Sequence, residues 1–338
     1  MKQNDDKTAL IWGRQRIGDV VMSIPALKIL RKHAPRLKTR YVTTFYASEL
    51  VRLTGLVDDV RCVRLKGGIR NFFRWWKLRR EVSRGEYAPI FLLGKVSRYE
   101  RKVGGVDQTV CIKDFPDGHT AERCANTIMA GLGLSEVDVP SPEVHIPDQP
   151  AITKKLDSFG LPARAHYLVV HSGCNRVLRG SGGAEGSEKL WPTEKYPPLF
   201  RRLREAHPEL KLVLVGTESE RPWIRRHLVE KLPPEVEPIN LAGYTSIRET
   251  LQLLRHASAL LCGDSGVMHL ATMTGTPMVA LFGPTDENST GPFGVDQIAL
   301  RIRAVPLEDA EKDPQCMDKI SVEEVYHGLE EQLALAQA

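Results

Sequence analysis

The densest chemistry in the chain lies in Ala259–Thr285, ALLCGDSGVMHLATMTGTPMVALFGPT. The apolar run Ala259–Cys262 reads as a buried strand. Gly263-Asp264-Ser265-Gly266 turns the chain, and Val267–Met273 reads as a helix that Gly275-Thr276-Pro277 ends before a second buried strand, Met278–Phe282. Asp264 or Ser265 suits the cap position, where a short side-chain oxygen accepts from a free first-turn N–H. A glycine-bearing turn feeding a helix N-terminus gathers N–H donors and a dipole that favours anions. Such a turn at the C-terminal end of a strand is where open α/β sheets hold ligands. A diphosphate or carboxylate seat is the chemistry that fits; an ordinary strand–turn–helix corner fits the turn equally well.

Three further positions carry groups of the right kind. After the first apolar run, Ala9–Trp12, the loop Gly13-Arg14-Gln15-Arg16-Ile17-Gly18-Asp19 places a carboxylate beside two guanidinium groups. A carboxylate kept ionised by nearby positive charge can act as a general base, and an aspartate at the start of a helix is also a common cap. Lys189 precedes Trp191-Pro192 after a glycine-dense stretch, residues 176–188, and taken alone is an ordinary surface lysine. Glu218 and Glu220 follow the apolar run Lys211–Val215, where a carboxylate can meet a ribose hydroxyl pair or simply favour a helix N-terminus. Neither loop is G-x-G-x-x-G or a P-loop, which disfavours a dinucleotide oxidoreductase.

The elements that must position these groups alternate strand and helix through the chain, the pattern of parallel α/β sheets. Val20–Lys32 has an apolar helical face, with Pro25 implying a bend or a later start. Strands are expected at Arg40–Thr43, Val60–Val63, Pro89–Leu93, Tyr167–His171 and Lys211–Val215, and a final helix at Val322–Leu335. The four prolines between Val139 and Pro150 read as a linker, giving domains 1–150 and 151–338. A chain of 338 residues is of two-domain size. His119, ahead of Glu122, reads as a cap or surface residue rather than a ligand.

Charge is unevenly spread. The net charge is +5, but residues 1–113 hold 25 Lys and Arg against 10 Asp and Glu, leaving the remainder acidic. That asymmetry points to an anionic partner on the front part, or to a solvated basic face. Residues 61–102 hold 13 basic against 3 acidic residues, and within them Ile69–Arg80, IRNFFRWWKLRR, interleaves aromatics with cations. This suits a helix on an anionic membrane surface, a nucleic-acid contact, or a two-sided helix with Phe72, Phe73 and Trp76 in the core. The N-terminal MKQNDDKTAL is polar, unlike a signal peptide, and no apolar run approaches a membrane span. The six cysteines show no paired or metal-ligand spacing, so reduced thiols in the cytoplasm are expected.

Taken together, Asp264-Ser265-Gly266, His269, Ala271, Gly275, Pro277 and Phe282-Gly283-Pro284-Thr285 resemble the signature of the bacterial heptosyltransferases, glycosyltransferase family 9, which add heptose to the lipopolysaccharide inner core. Gly18-Asp19 with Pro25 and Leu27, Lys189-Leu190-Trp191-Pro192, and the segments Gly216–Glu220 and Ile239–Ser246 extend the resemblance to both halves; the middle third matches poorly, and the glycine loop 176–188 departs from the family.

The resemblance implies the GT-B class, an α/β fold of two facing Rossmann-like domains with parallel sheets: acceptor binding in 1–150, donor binding in 151–338 with the terminal helix. It implies inverting transfer of a heptose from ADP-heptose to a core hydroxyl, with no cofactor and no metal. Asp19 is then the base. Ser172, Gly173, Lys189, Glu220 (Glu218 as runner-up), Asp264, Ser265, Gly266, Val267, His269 and Thr285 bind the donor, and Arg14, Arg16, Arg61 and Arg64 the acceptor. The implied partners are an ADP-sugar, an anionic lipopolysaccharide core and the cytoplasmic membrane surface, with nucleic acid excluded and the protein cytoplasmic or peripheral at the inner membrane. A GT-B transferase or epimerase acting on another nucleotide sugar remains the alternative.

Overall fold

A computed structural model describes residues 7–13, 16–63, 69–94, 109–162, 165–173 and 189–336, with the side chains of 69–72 left aside. Arg14, Arg64 and the glycine loop 176–188 lie outside the described residues. The chain divides into two compact units, Met1–Pro142 and Glu143–Ala338.

The first unit runs β1 (Thr8–Trp12), α1 (Ile17–Val21), α2 (Ile24–His33), β2 (Thr39–Thr43), α3 (Phe45–Leu53), β3 (Asp59–Cys62), α4 (Ile69–Ser83), β4 (Tyr87–Leu92), β5 (Thr109–Cys111) and α5 (Thr120–Leu132). Its strands form one parallel sheet in the order β3-β2-β1-β4-β5, with Ile11 registered between Tyr41 and Phe91. Parallel neighbours need crossovers, and helices on both faces make the central strands continuous apolar runs. Leu10, Trp12, Val42, Ile90 and Leu92 pack on one face against Leu78 and Val82 of α4. Phe91 points to the other face, where Gly131 of α5 lies against its ring.

The bend or later start that Pro25 implied is found: two helices broken at Met22-Ser23 cover Val20–Lys32, with Pro25 in the first turn of α2, where its missing N–H costs nothing. Asp19 is not a cap: Arg16 holds that position and Asp19 lies in the first turn of α1. In α4 the core-facing residues are Trp75, Leu78 and Val82, with Trp75 4.9 Å from Trp12 ring to ring. Phe73 and Trp76, read as core under one alternative, are 58% and 51% exposed. His119 is the cap of α5, its Nδ1 accepting from Ala121 N at 3.1 Å.

The second unit runs α6 (Pro150–Ser158), β6 (Tyr167–His171), α7 (Tyr196–Ala206), β7 (Lys211–Leu214), α8 (Arg221–His227), β8 (Ile239–Asn240), α9 (Ile247–Arg255), β9 (Ala259–Gly263), α10 (Gly266–Thr274), β10 (Met278–Leu281), α11 (Glu287–Thr290), β11 (Ala299–Ile302), α12 (Leu307–Ala310) and α13 (Val322–Leu335). The parallel sheet has the order β11-β10-β9-β6-β7-β8. Leu168, Val170, Leu261 and Val279 pack on one face with Phe200 of α7 and with Val325, Leu329 and Leu333 of α13. Alternate residues Val169, Val213, Leu260 and Ala280 are equally buried and face the other way, where α9 and α10 lie. The tail helix therefore belongs to the core: each of its buried leucines contributes about 1.5–3 kcal/mol by burial.

Candidate functional site

In the second sheet the strand order reverses between β6 and β9. From β6 the chain steps outward to β7 and β8, and from β9 to β10 and β11. The loops leaving β6 and β9 therefore run in opposite directions and open a crevice at the strand C-termini, the ligand-binding place of open α/β sheets. The sequence-expected donor residues gather on the four loops around it. Ser172 and Gly173 follow β6, Asp264 and Ser265 follow β9, Thr285 follows β10, and Glu220 follows β7.

Ser265 caps α10 in extended conformation, its hydroxyl accepting from Met268 N at 3.5 Å. Gly275, at φ 68°, closes the other end in the left-handed region that a side chain disfavours. Met268–Met273 are buried, whereas Asp264, Ser265, Gly266 and Val267 are only half-buried. The first-turn N–H groups of Gly266 and Val267 thus sit at an accessible helix N-terminus, where the dipole favours negative charge. His269 is 5% exposed and belongs to the buried part of the helix, one turn below that end.

Lys189, 75 residues away in sequence, arrives at this turn: its Nζ lies 2.7 Å from Asp264 Oδ2. The cause is two residues on. Trp191 is buried, edge-on to Tyr196 at 4.9 Å, and donates from Nε1 to Ile320 O at 3.0 Å. That anchor fixes the main chain so that the Lys189 carbonyl passes close over Gly263.

Glu220 is placed differently from a solvent-facing ribose acceptor. Its carboxylate is 3% exposed; Oε2 accepts from Thr217 N at 2.7 Å and Thr217 Oγ1 at 2.8 Å. Oε1 faces His171 Nε2 at 3.6 Å, an electrostatic pairing beyond hydrogen-bond length. Burial works against its charge, but His171 and the two Thr217 donors outweigh it and hold the pKa down to about 2. A side chain at Gly173 would place its Cβ 2.6 Å from Oε1, so it would have to displace this carboxylate. Glu218, the runner-up, is open to solvent beside Arg221.

Two groups, His171 and Arg303, were not singled out by sequence. His171 ends β6, and its Nδ1, like the hydroxyls of the expected Ser172 and Thr285, is buried without a hydrogen-bond partner among the described residues. Arg303, just beyond β11, donates to Gly283 O and Thr285 O and pairs bidentately with Glu287, Nε to Oε1 at 2.9 Å and Nη2 to Oε2 at 2.5 Å, so it shapes the loop after β10. Nothing in the sequence pattern marked it, because the loop it ties is 18 to 20 residues earlier.

In the first unit the order reverses between β1 and β4, and α1 follows β1 at the C-terminal edge of the sheet. Asp19 is half-buried there and Arg16 is exposed. Gly13, just after β1, has the buried Tyr41 ring across it: an added Cβ would meet Cε1 and Cζ at 1.9 and 2.0 Å and the phenol oxygen at 2.3 Å. Tyr41 OH in turn pairs with Ser23 at 3.0 Å, so the turn carrying Asp19 is braced from below. Arg61 sits on β3, bound to Glu81 Oε2 at 2.5 Å, and faces an open recess of about 400 Å³ with Phe45, Arg74 and Lys77. Among the described residues no cluster of three or more metal-ligating side chains occurs.

Residues 163–320 match the model of glycosyltransferase family 9 (heptosyltransferase). Over this segment, just under half of the chain, the sequence is similar to glycosyltransferase family 9. A lipooligosaccharide heptosyltransferase 2 of Haemophilus influenzae is 32% identical over 123 residues, 36% of this chain and 35% of that protein. A lipopolysaccharide heptosyltransferase 2 of Escherichia coli is 30% identical over 36% of this chain and 34% of its own length. The sequence match thus spans about a third of these curated relatives. The solved ADP-heptose lipopolysaccharide heptosyltransferase II of E. coli superposes with a TM-score of 0.77 at 17% identity, covering 98% of this chain and 100% of that one. At that identity the likeness establishes the fold alone, and the two parallel sheets are those of the GT-B class. The family segment encloses Lys189, Glu220, Asp264–Val267, His269 and Thr285.

Proposed function

We propose that the chain is an inverting glycosyltransferase that moves a heptose from ADP-heptose to a hydroxyl of the lipopolysaccharide inner core. The observation that carries this reading is the Lys189–Asp264 contact at the head of α10, over the strand-order reversal. A sugar nucleotide reacts when the bond from its anomeric carbon to the diphosphate breaks, and negative charge grows on the departing oxygen. One ammonium and the N–H groups of Gly266 and Val267 form a preorganised receiver for that charge. Asp264 holds the lysine at the turn before the ligand arrives. The acceptor hydroxyl oxygen forms the new bond from the opposite side, which inverts the anomeric centre, and Asp19 takes the hydroxyl proton. Arg14, Arg16, Arg61 and Arg64 are proposed to meet the anionic acceptor, and Ser172, Gly173, Glu220, His269 and Thr285 to shape the donor site. The named relatives and the family segment support the choice of donor and acceptor.

The experiment is a donor panel of ADP-, UDP- and GDP-sugars with heptose-deficient lipopolysaccharide as acceptor, read as nucleotide release and as acceptor mass. Acceptor-dependent ADP release is expected. Release of free sugar without acceptor, or preference for a uridine donor, would replace the proposal with the epimerase or other GT-B reading. Asp19→Asn is expected to lower turnover by roughly 10²–10⁴-fold while ADP binding stays unchanged. Normal turnover in that variant would remove the base from the mechanism.

A further inference from the structure

Exposed aromatic side chains are concentrated on one face of the first unit. Six large hydrophobic residues among those described are exposed, and four of them, Phe45, Tyr46, Phe73 and Trp76, lie on the start of α3 and the outer face of α4. In α4 the positions Phe73, Trp76, Lys77 and Arg80 follow helical spacing and share one side, opposite the buried Leu78 and Val82. The two helices meet: the Arg74 guanidinium stacks over the Phe45 ring at 4.8 Å. The Arg80 guanidinium covers the Trp76 ring at 5.2 Å. Arg74 and Lys77 also border the recess beside Phe45.

Among the described residues, the nearby acids do not cancel this charge. Asp59 is bound to Arg40, and Glu81 is buried against Arg61 and Tyr87, whose phenol accepts from Arg40 and donates to Glu81. Glu49, one turn on from Phe45, is an exposed acid at the edge of the face. What remains outward is a band of flat amphipathic rings with cations stacked on them. Water solvates such a band poorly, and an apolar protein groove would leave the cations without counter-charges. The boundary between headgroups and acyl chains accepts both parts, rings at the interface and cations against anionic headgroups.

We infer that the face built by α4 and the start of α3 is a docking surface for an anionic lipid bilayer. The aromatics insert at the interfacial level, and Arg74, Lys77 and Arg80 lie against the headgroups. No described helix is long and apolar enough to cross a membrane, so the contact is peripheral. The inference goes beyond the proposed transferase reaction, and its test needs no sugar nucleotide, so either can fail alone.

The test is flotation of the full chain with phosphatidylcholine vesicles, with and without phosphatidylglycerol, at low and high salt. Binding is expected only to the anionic vesicles and is expected to fall with salt. Neutralising one surface cation lowers partitioning about fivefold, so Arg74→Gln with Lys77→Gln is expected to lower it by about 30-fold. Phe73→Ser with Trp76→Ser is expected to lower it by about tenfold or more, while ADP binding is retained. Tyr46→Ser reads the same face from α3 and is expected to weaken binding in the same direction. Equal binding to neutral vesicles, no vesicle binding, or unchanged binding by the variants would overturn the inference. So would a dimer in solution that Trp76→Ser dissolves, or oligonucleotide binding without vesicle binding.

Discussion

Lys189 Nζ and Asp264 Oδ2 stand 2.7 Å apart, with a quarter or less of either side chain exposed. The pair joins two loops that leave neighbouring strands, β6 and β9, and so bridges the crevice between them. A partly buried ion pair of this kind contributes little net stability, because desolvation offsets most of the attraction. Its value is positional: it holds an ammonium beside the free N–H groups of α10.

Lys189→Ala is therefore expected to cost about 1 kcal/mol or less in folding and much more in ligand affinity. ADP affinity measured by calorimetry should fall by roughly tenfold or more, the worth of a charge-assisted contact. An unchanged affinity would take Lys189 out of the donor site. Thermal melting of the same samples separates binding loss from misfolding.

The turn that carries Asp19 depends on a residue with no side chain. A Cβ at Gly13 would overlap Tyr41 Cε1 and Cζ at 1.9 and 2.0 Å, and Tyr41 is fully buried. Gly13→Ala is expected to destabilise the first unit by about 3 kcal/mol, read by urea unfolding. Adding Tyr41→Phe should not rescue it, because ring carbons make the clash. Adding Tyr41→Ala should recover part of the loss, at the cost of a cavity and of the Ser23 hydroxyl contact.

Strands β1, β6, β9 and β10 and helices α10 and α13 were legible because continuous apolar runs and helical periods bounded by glycine, proline and serine leave little choice. The edge strands β5 and β11, three and four residues long, carry too few buried positions to show a period. In α4, aromatics at 72, 73, 75 and 76 spread over nearly half of the helix circumference, so periodicity could not fix which of them turn inward. Asp264-Ser265-Gly266 and Lys189 could be singled out as residues, but their approach could not, since only Trp191 and Ile320 fix where Lys189 ends. Glu220 was placed at the right strand end, yet its inward turn depends on His171 and Thr217, whose contact arises from tertiary packing rather than from spacing.

Arg303 shows the same dependence. Its guanidinium takes Glu287 on one side and the carbonyls of Gly283 and Thr285 on the other. Burial resists the charge on Glu287, and Arg303 holds its pKa below the usual carboxylate range. Arg303→Ala leaves that carboxylate without its partner and releases the loop after β10, so a loss of about 2 kcal/mol or more is expected. Arg303→Lys keeps the charge but lacks the fork that serves three acceptors at once. It should recover part of the stability and little of the ADP affinity, if the loop shapes the donor site.

Glu220 predicts a pH dependence with a definite direction. An unfolded glutamate titrates near 4.5 and the folded one at about 2, so the fold favours the charged form. The contribution is complete above about pH 4.5 and drains as pH falls toward 2. A shift of this size corresponds to about 3 kcal/mol at neutral pH. Other carboxylates with lowered pKa values, such as Asp58 and Glu81, make the parent acid-labile as well, so the readout is a difference. Glu220→Gln should be less stable than the parent at pH 7, with a gap that narrows below pH 4.5 and closes near pH 2. Gly173→Ala should lower stability at pH 7 too, because its Cβ would crowd Oε1, and that loss should persist in acid, since overlap does not depend on charge. A gap for Glu220→Gln that stays constant from pH 7 to pH 2 would show that the carboxylate contributes by shape alone.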